Sequence, residues 1–255
     1  MREALARGGR DARVVLRGLM PSTTARAIVA EALGTAFLLA AVVGSGIMGD
    51  RLAGGNLAVA LLANALATGA ALVTLILTFG PISGAHFNPV VSLTDAWQGG
   101  LPRTRVGGYI VAQVVGAFAG VAAAHLMFGE PLFAASTRVR SGPAQVFSEF
   151  VATFGLLSVI WGVSRSRATV VPFAVAAYIM AAYWFTASTS FANPAVTMAR
   201  AYTNTFAGIR PADAAGFIVG QLAGGFAATA LFGWLVPSLP ARAAEVVVPH
   251  EVASP

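Results

Sequence analysis

Apolar positions in this chain run in long blocks, and the longest leave no room for charge. The stretch LAVALLANALATGAALVTLILTFG (57–80) contains no ionisable side chain. About 20 apolar residues in a helix are enough to cross a hydrocarbon core of ~30 Å. On this criterion hydropathy predicts six spans, 25–48, 56–79, 107–127, 145–164, 169–187 and 214–236. Two shorter apolar pieces, 88–97 and 193–202, are too short to cross, and each begins at an Asn-Pro pair.

Composition fixes the solvent as lipid. The chain is 57% hydrophobic and 10% charged, with a mean hydropathy of +0.76, whereas a soluble domain carries about 25% charged residues. It reads as an all-α, multi-pass integral membrane protein. The isoelectric point near 11.0 does not imply nucleic acid, because the arginines sit mostly in the tail and loops. With no cysteine there is neither a disulfide framework nor a thiolate site. Arg2, Arg7, Arg10, Arg13 and Arg17 precede the first span without an apolar block ending in a cleavage site. Residues 1–24 therefore read as a cytoplasmic tail rather than a signal peptide. The Pro-rich segment 237–255 reads as a second, loose tail. With both tails inside, eleven arginines (those up to Arg26, with Arg103, Arg105, Arg165, Arg167 and Arg242) face the cytoplasm. Five (Arg51, Arg138, Arg140, Arg200 and Arg210) face outward. This asymmetry favours cytoplasmic termini in an inner (plasma) membrane.

An internal repeat organises the spans. EALGTAFLL (31–39) is echoed by EFVATFGLL (149–157), FNPVVSL by ANPAVTM, and AQVVGAFAG (112–120) by GQLAGGFAA (220–228). The offsets are 118, 105 and 108 residues, so order is kept between a first repeat at about 25–127 and a second at about 145–236. Three spans per half is an odd number, so the halves insert with opposite orientation and place a site near the midplane.

The Asn-Pro pairs then acquire a physical reading. Asn is a strong N-cap and Pro is favoured at the first helical position. Asn88-Pro89-Val90 and Asn193-Pro194-Ala195 therefore each start a half-helix, and the two meet N-terminus to N-terminus. Irregular backbone at that depth is tolerated only if it is buried in protein or lines a wet cavity. Each Asn amide keeps N–H donors for a passing solute, and two converging positive helix ends oppose cations. The pattern points to a pore for neutral solutes.

On these residues the chain resembles the major intrinsic proteins, the aquaporin and aquaglyceroporin family. SGAHFNPV is similar to the family's first loop motif, SFANPA to its second, and Glu31 and Glu149 match its two buried glutamates. The resemblance covers 25–236 and implies an aquaporin-like channel domain of six transmembrane helices and two re-entrant half-helices. It also implies one pore per subunit and a homotetramer. There are departures. Val90 stands where the family has Ala, and Val196 where it has the arginine of its narrow selectivity filter. By family spacing the other filter positions fall on Thr68, Ala181 and Ser190. A filter of Thr68, Ala181, Ser190 and Val196 holds no aromatic ring, His or charge. It is expected to be wide, and to leak some ions that an arginine would stop. The missing arginine resembles a group of aquaglyceroporins associated with bacterial arsenic resistance. The solutes implied are glycerol-like polyols and water, with urea, arsenous acid and methylated arsenicals as further candidates.

Other residues carry two readings each. Glu31 and Glu149 are intramembrane carboxylates, able to support the loops or to carry protons in a coupled secondary transporter. His86 either lines the inner vestibule or positions its loop. Arg200, one turn beyond Val196, either forms a charged outer mouth or is an exposed surface arginine. His86, His125 and His250 are too scattered for a metal site, and no nucleophile stands with a base. The chain reads as a channel without cofactor or enzymatic activity.

Overall fold

The computed structural model describes residues 23–236. Eight α-helices follow in order: α1 (Thr23–Leu52), α2 (Leu57–Ser83), α3 (Pro89–Gln98), α4 (Arg103–Phe128), α5 (Pro143–Arg167), α6 (Val171–Phe185), α7 (Pro194–Arg200) and α8 (Pro211–Leu235). A single 3-10 turn, Ala168–Val170, leads into α6. Six of these segments are long and apolar enough to cross a membrane, and α3 and α7 are the two short helices. The tails, with Arg2, Arg7, Arg10, Arg13, Arg17, Arg242 and His250, lie outside the described residues. Thr23 and Thr24, expected in the tail, instead open α1.

Local chemistry sets the borders. Asn56 caps α2, its side chain accepting from the amides of Ala58 and Val59 at 3.0 and 3.2 Å. Pro begins α3, α5, α7 and α8, where its missing N–H and fixed φ cost nothing. Helix α2 outruns its hydropathy border at 79, continuing through Pro81 to a left-handed Gly84. Helix α7 stops short of the expected 202. The amides of Ala201 and Tyr202 turn back to Met198 and Ala199, tightening the last turn.

Packing repeats the sequence repeat. Helix α1 packs most extensively on α4, and α5 on α8; α2 lies against α6, and each half-helix touches the last span of both halves. The closest approaches are made by glycine. A Cβ at Gly120 would run into the carbonyl oxygen of Ala36, and one at Gly224 into that of Phe150. Small residues at such crossings let two backbones come together in lipid. The surface is inverted relative to a soluble protein: Phe37, Leu52, Val111, Val219 and Trp234 are exposed, while Glu31, Glu149, Gln113, Gln221 and His125 are buried.

Candidate functional site

The site is built on two loops with the same unusual backbone. Ala85 and Phe87 in the first, and Ser190 and Ala192 in the second, have φ between 49° and 51°. Left-handed conformations at non-glycine residues cost roughly 1–3 kcal/mol each and persist only where their surroundings enforce them. Here buried carboxylates supply the enforcement. Glu31 accepts four hydrogen bonds: Oε1 from the Ser83 hydroxyl (2.7 Å) and the His86 amide (2.9 Å), Oε2 from the Phe87 amide (2.7 Å) and Gln113 Nε2 (2.8 Å). Glu149 repeats the pattern, accepting from the amides of Phe191 (2.9 Å) and Ala192 (2.8 Å) and from Gln221 Nε2 (2.6 Å). Both glutamates are fully buried.

The asparagines tie the loops together. Asn88 Oδ1 accepts from the Val90 amide at 3.0 Å, and Asn193 Oδ1 from the amides of Ala195 and Val196 at 3.0 and 3.3 Å. Their amide nitrogens cross over: Asn88 Nδ2 donates to the Ala192 carbonyl (2.8 Å), and Asn193 Nδ2 to that of Phe87 (2.7 Å). Each NH₂ has two donors, so each retains one N–H with no partner among the described residues. Pro89, Val90, Pro194 and Ala195 are buried behind them.

A cavity of about 80 Å³ runs past both asparagines. Its wall takes residues 85–88 and 190–193 from the loops and Leu38, Val42, Leu72, Leu156, Ile160 and Val175 from the spans. Of the expected filter positions, Thr68, Ser190 and Val196 line it. Ala181 does not; it faces the exterior. The reason is helical phase. Ile179 and Tyr183, four residues apart on α6, share the inward face, and a residue midway between them lies about 200° round the helix. The aromatic-free, uncharged wall expected from the sequence is also replaced. Tyr183, Phe191 and Arg200 all line the cavity, and the Tyr183 hydroxyl lies 3.2 Å from that of Thr68.

His86 combines both of its expected positions, lining the cavity and holding its loop. Gln113 Nε2 donates to Ser92 Oγ at 2.8 Å, leaving that hydroxyl free to donate to His86 Nδ1 at 3.1 Å. The remaining nitrogen, Nε2, then faces Asp95 Oδ2 at 3.4 Å. Sequence reasoning missed Asp95, Ser92 and Gln113. The repeat offsets of 105 and 108, which align Ser92 with Thr197 and Gln113 with Gln221, held a signal for the last two. His125 bonds Thr203 Oγ1 at 2.8 Å away from the cavity. Among the described residues no cluster of His, Asp and Glu is suited to a metal.

Two arginines approach the Phe191 ring, Arg200 with its guanidinium carbon 3.4 Å from the centroid and Arg140 at 5.1 Å. Arg200 is only 2% exposed, which overturns a surface position; it lines the cavity with Val196. Arg140 donates to the Gly208 and Ser188 carbonyls and to Thr189 Oγ1. Burial, and then the charge of Arg138, pull its pKa down to about 10, so it remains cationic at neutral pH.

The sequence model of the Major intrinsic protein family matches residues 19–187. Aquaglyceroporin AqpS of Rhizobium meliloti (strain 1021) is 57% identical over 217 residues, covering 85% of this chain and 92% of that relative. Aquaporin NIP1-3 of Oryza sativa subsp. japonica is 33% identical over 215 residues, 80% of this chain and 72% of that relative. Among solved structures, the aquaglyceroporin from Plasmodium falciparum shares the fold with a TM-score of 0.66 at 19% identity, over 85% of this chain and 98% of that one.

Proposed function

The chain belongs to the major intrinsic protein family, and from that premise we propose an aquaglyceroporin-type pore that passes water, glycerol-sized polyols, urea and arsenous acid passively. The observation that carries this reading is the pair of Asn88 and Asn193 amides, each with one unused N–H, on the wall of a cavity lined by both loops. A neutral hydroxylated solute can exchange its water hydrogen bonds for these donors; a cation gains nothing from them. Arsenous acid, an uncharged trihydroxy molecule at neutral pH, presents oxygens much as a small polyol does. Glu31 and Glu149 serve as acceptors that hold the loops. They lie outside the cavity wall, which supports the channel reading over a coupled transporter.

The filter region comprises Thr68, Ser190 and Val196, with Tyr183 taking the place assigned to Ala181. Four such pores form a homotetramer in the plasma membrane, with both termini cytoplasmic. The test is stopped-flow light scattering of proteoliposomes with water, glycerol, urea and arsenite, comparing parent and Val196→Arg at equal reconstituted protein. Val196→Arg should slow the larger solutes more than water, because a guanidinium adds volume and fixed donors to the wall. A parent that passes water and excludes every larger solute defeats the proposal. Unchanged solute ratios in the variant mean that Val196 does not border the route.

A further inference from the structure

Building on the channel reading, we infer that Arg200 is the charge-selecting residue of this pore, acting one helical turn beyond Val196. Two arginines lie against the Phe191 ring, and their donors are used differently. Arg140 holds three loop acceptors through Nε and Nη1 and does not line the cavity. Arg200 anchors only Nε, on the Ala207 carbonyl. Its two Nη groups hydrogen-bond to nothing among the described residues, although the side chain is 2% exposed and borders the cavity. Among the described residues no carboxylate forms an ion pair with it.

A second unpartnered polar group lines the same cavity. Ser190 lines the cavity and is 3% exposed, and its Oγ has no hydrogen-bond partner. The guanidinium, with four free N–H groups, lacks acceptors, and the Ser190 hydroxyl on the same cavity wall lacks a partner. A solute carrying two or more oxygens supplies acceptors, whereas a cation meets a positive charge with no carboxylate ion-paired to it among the described residues. Val196 leaves the wall small without leaving the pore uncharged, so the ion leak expected from the missing arginine should not occur.

The chain contains no cysteine, which permits a clean test. Parent, Arg200→Gln and Arg200→Lys are reconstituted, and potassium leak is read by a potential-sensitive dye beside glycerol flux. Arg200→Gln should raise the leak about ten-fold or more, the scale of one partly desolvated unit charge, and alter glycerol flux through its lost donors; Arg200→Lys should hold the leak near the parent value. A Gln variant with parental glycerol flux and parental leak overturns the inference. Parental glycerol flux that is itself absent overturns the channel reading instead.

Should the Arg200 variants not fold, Val196→Cys in the otherwise unaltered chain decides. A sulfonatoethyl methanethiosulfonate should modify that thiol about ten-fold faster than its aminoethyl counterpart, after correction for their rates with a free thiol. Equal corrected rates, or no reaction with either reagent, overturn the inference.

Discussion

Asn88 and Asn193 show how much one side chain can hold at the residue scale. Each caps a half-helix through Oδ1 and bridges to the opposite loop through one N–H. Replacing either with Ala removes a cap worth ~1 kcal/mol and leaves a buried carbonyl unpaired at roughly 1–3 kcal/mol. Both variants should lose thermal stability and glycerol flux by similar amounts, since the bonds are matched across the repeat. Melting in detergent and stopped-flow flux measure the two losses; a variant with parental values for both removes the asparagines from the pore. The sequence made these residues legible because capping chemistry is local. It did not make Tyr183 legible, and for Arg200 it left a charged outer mouth and an exposed surface position both open. Which face of α6 points inward depends on helical phase, and a two-residue error in a gapless count exchanges wall for exterior. The burial of Arg200 depends on Phe191 and on the Ala207 carbonyl, contacts that no spacing rule supplies.

At the scale of elements, the loops are held by acceptors and the spans by close approach. In Glu31→Gln an NH₂ replaces one oxygen of a group that receives four donors, so donors face donors at roughly 1–3 kcal/mol for each one left unpaired. The expected outcome is a lower melting temperature and folded yield, with flux per folded channel near the parent's. A well-folded Glu31→Gln protein without transport would return the glutamate to a carrier role. Gly120→Val should fail earlier, because no rotamer removes its Cβ from the Ala36 carbonyl; size-exclusion profiles of the solubilised protein report this directly. Hydropathy and the Asn-Pro pairs predicted all six spans and both half-helices, with borders off by up to four residues, as at the ends of α2 and α7. Those borders are set by a left-handed Gly84 and by tightened turns after Arg200, neither of which changes the apolar run.

At the scale of the whole molecule, the inverted repeat was readable from three pairs of echoed segments, and the packing of α1 on α4 and α5 on α8 follows it. Any contact between subunits would leave no comparable trace in one chain, because lipid and a neighbouring subunit both suit exposed Leu, Val and Phe. The reciprocal bonds between the loops have a further consequence, for synthesis. The Phe87 carbonyl finds its donor on Asn193, a residue made 106 positions later, so the first re-entrant segment leaves the ribosome with its partner not yet translated. An interrupted chain is therefore expected to insert without conducting. A fragment ending at Gly142 should reach the membrane and give no glycerol flux. Co-expression of a second fragment starting at Pro143 should restore flux, measured in the same vesicles.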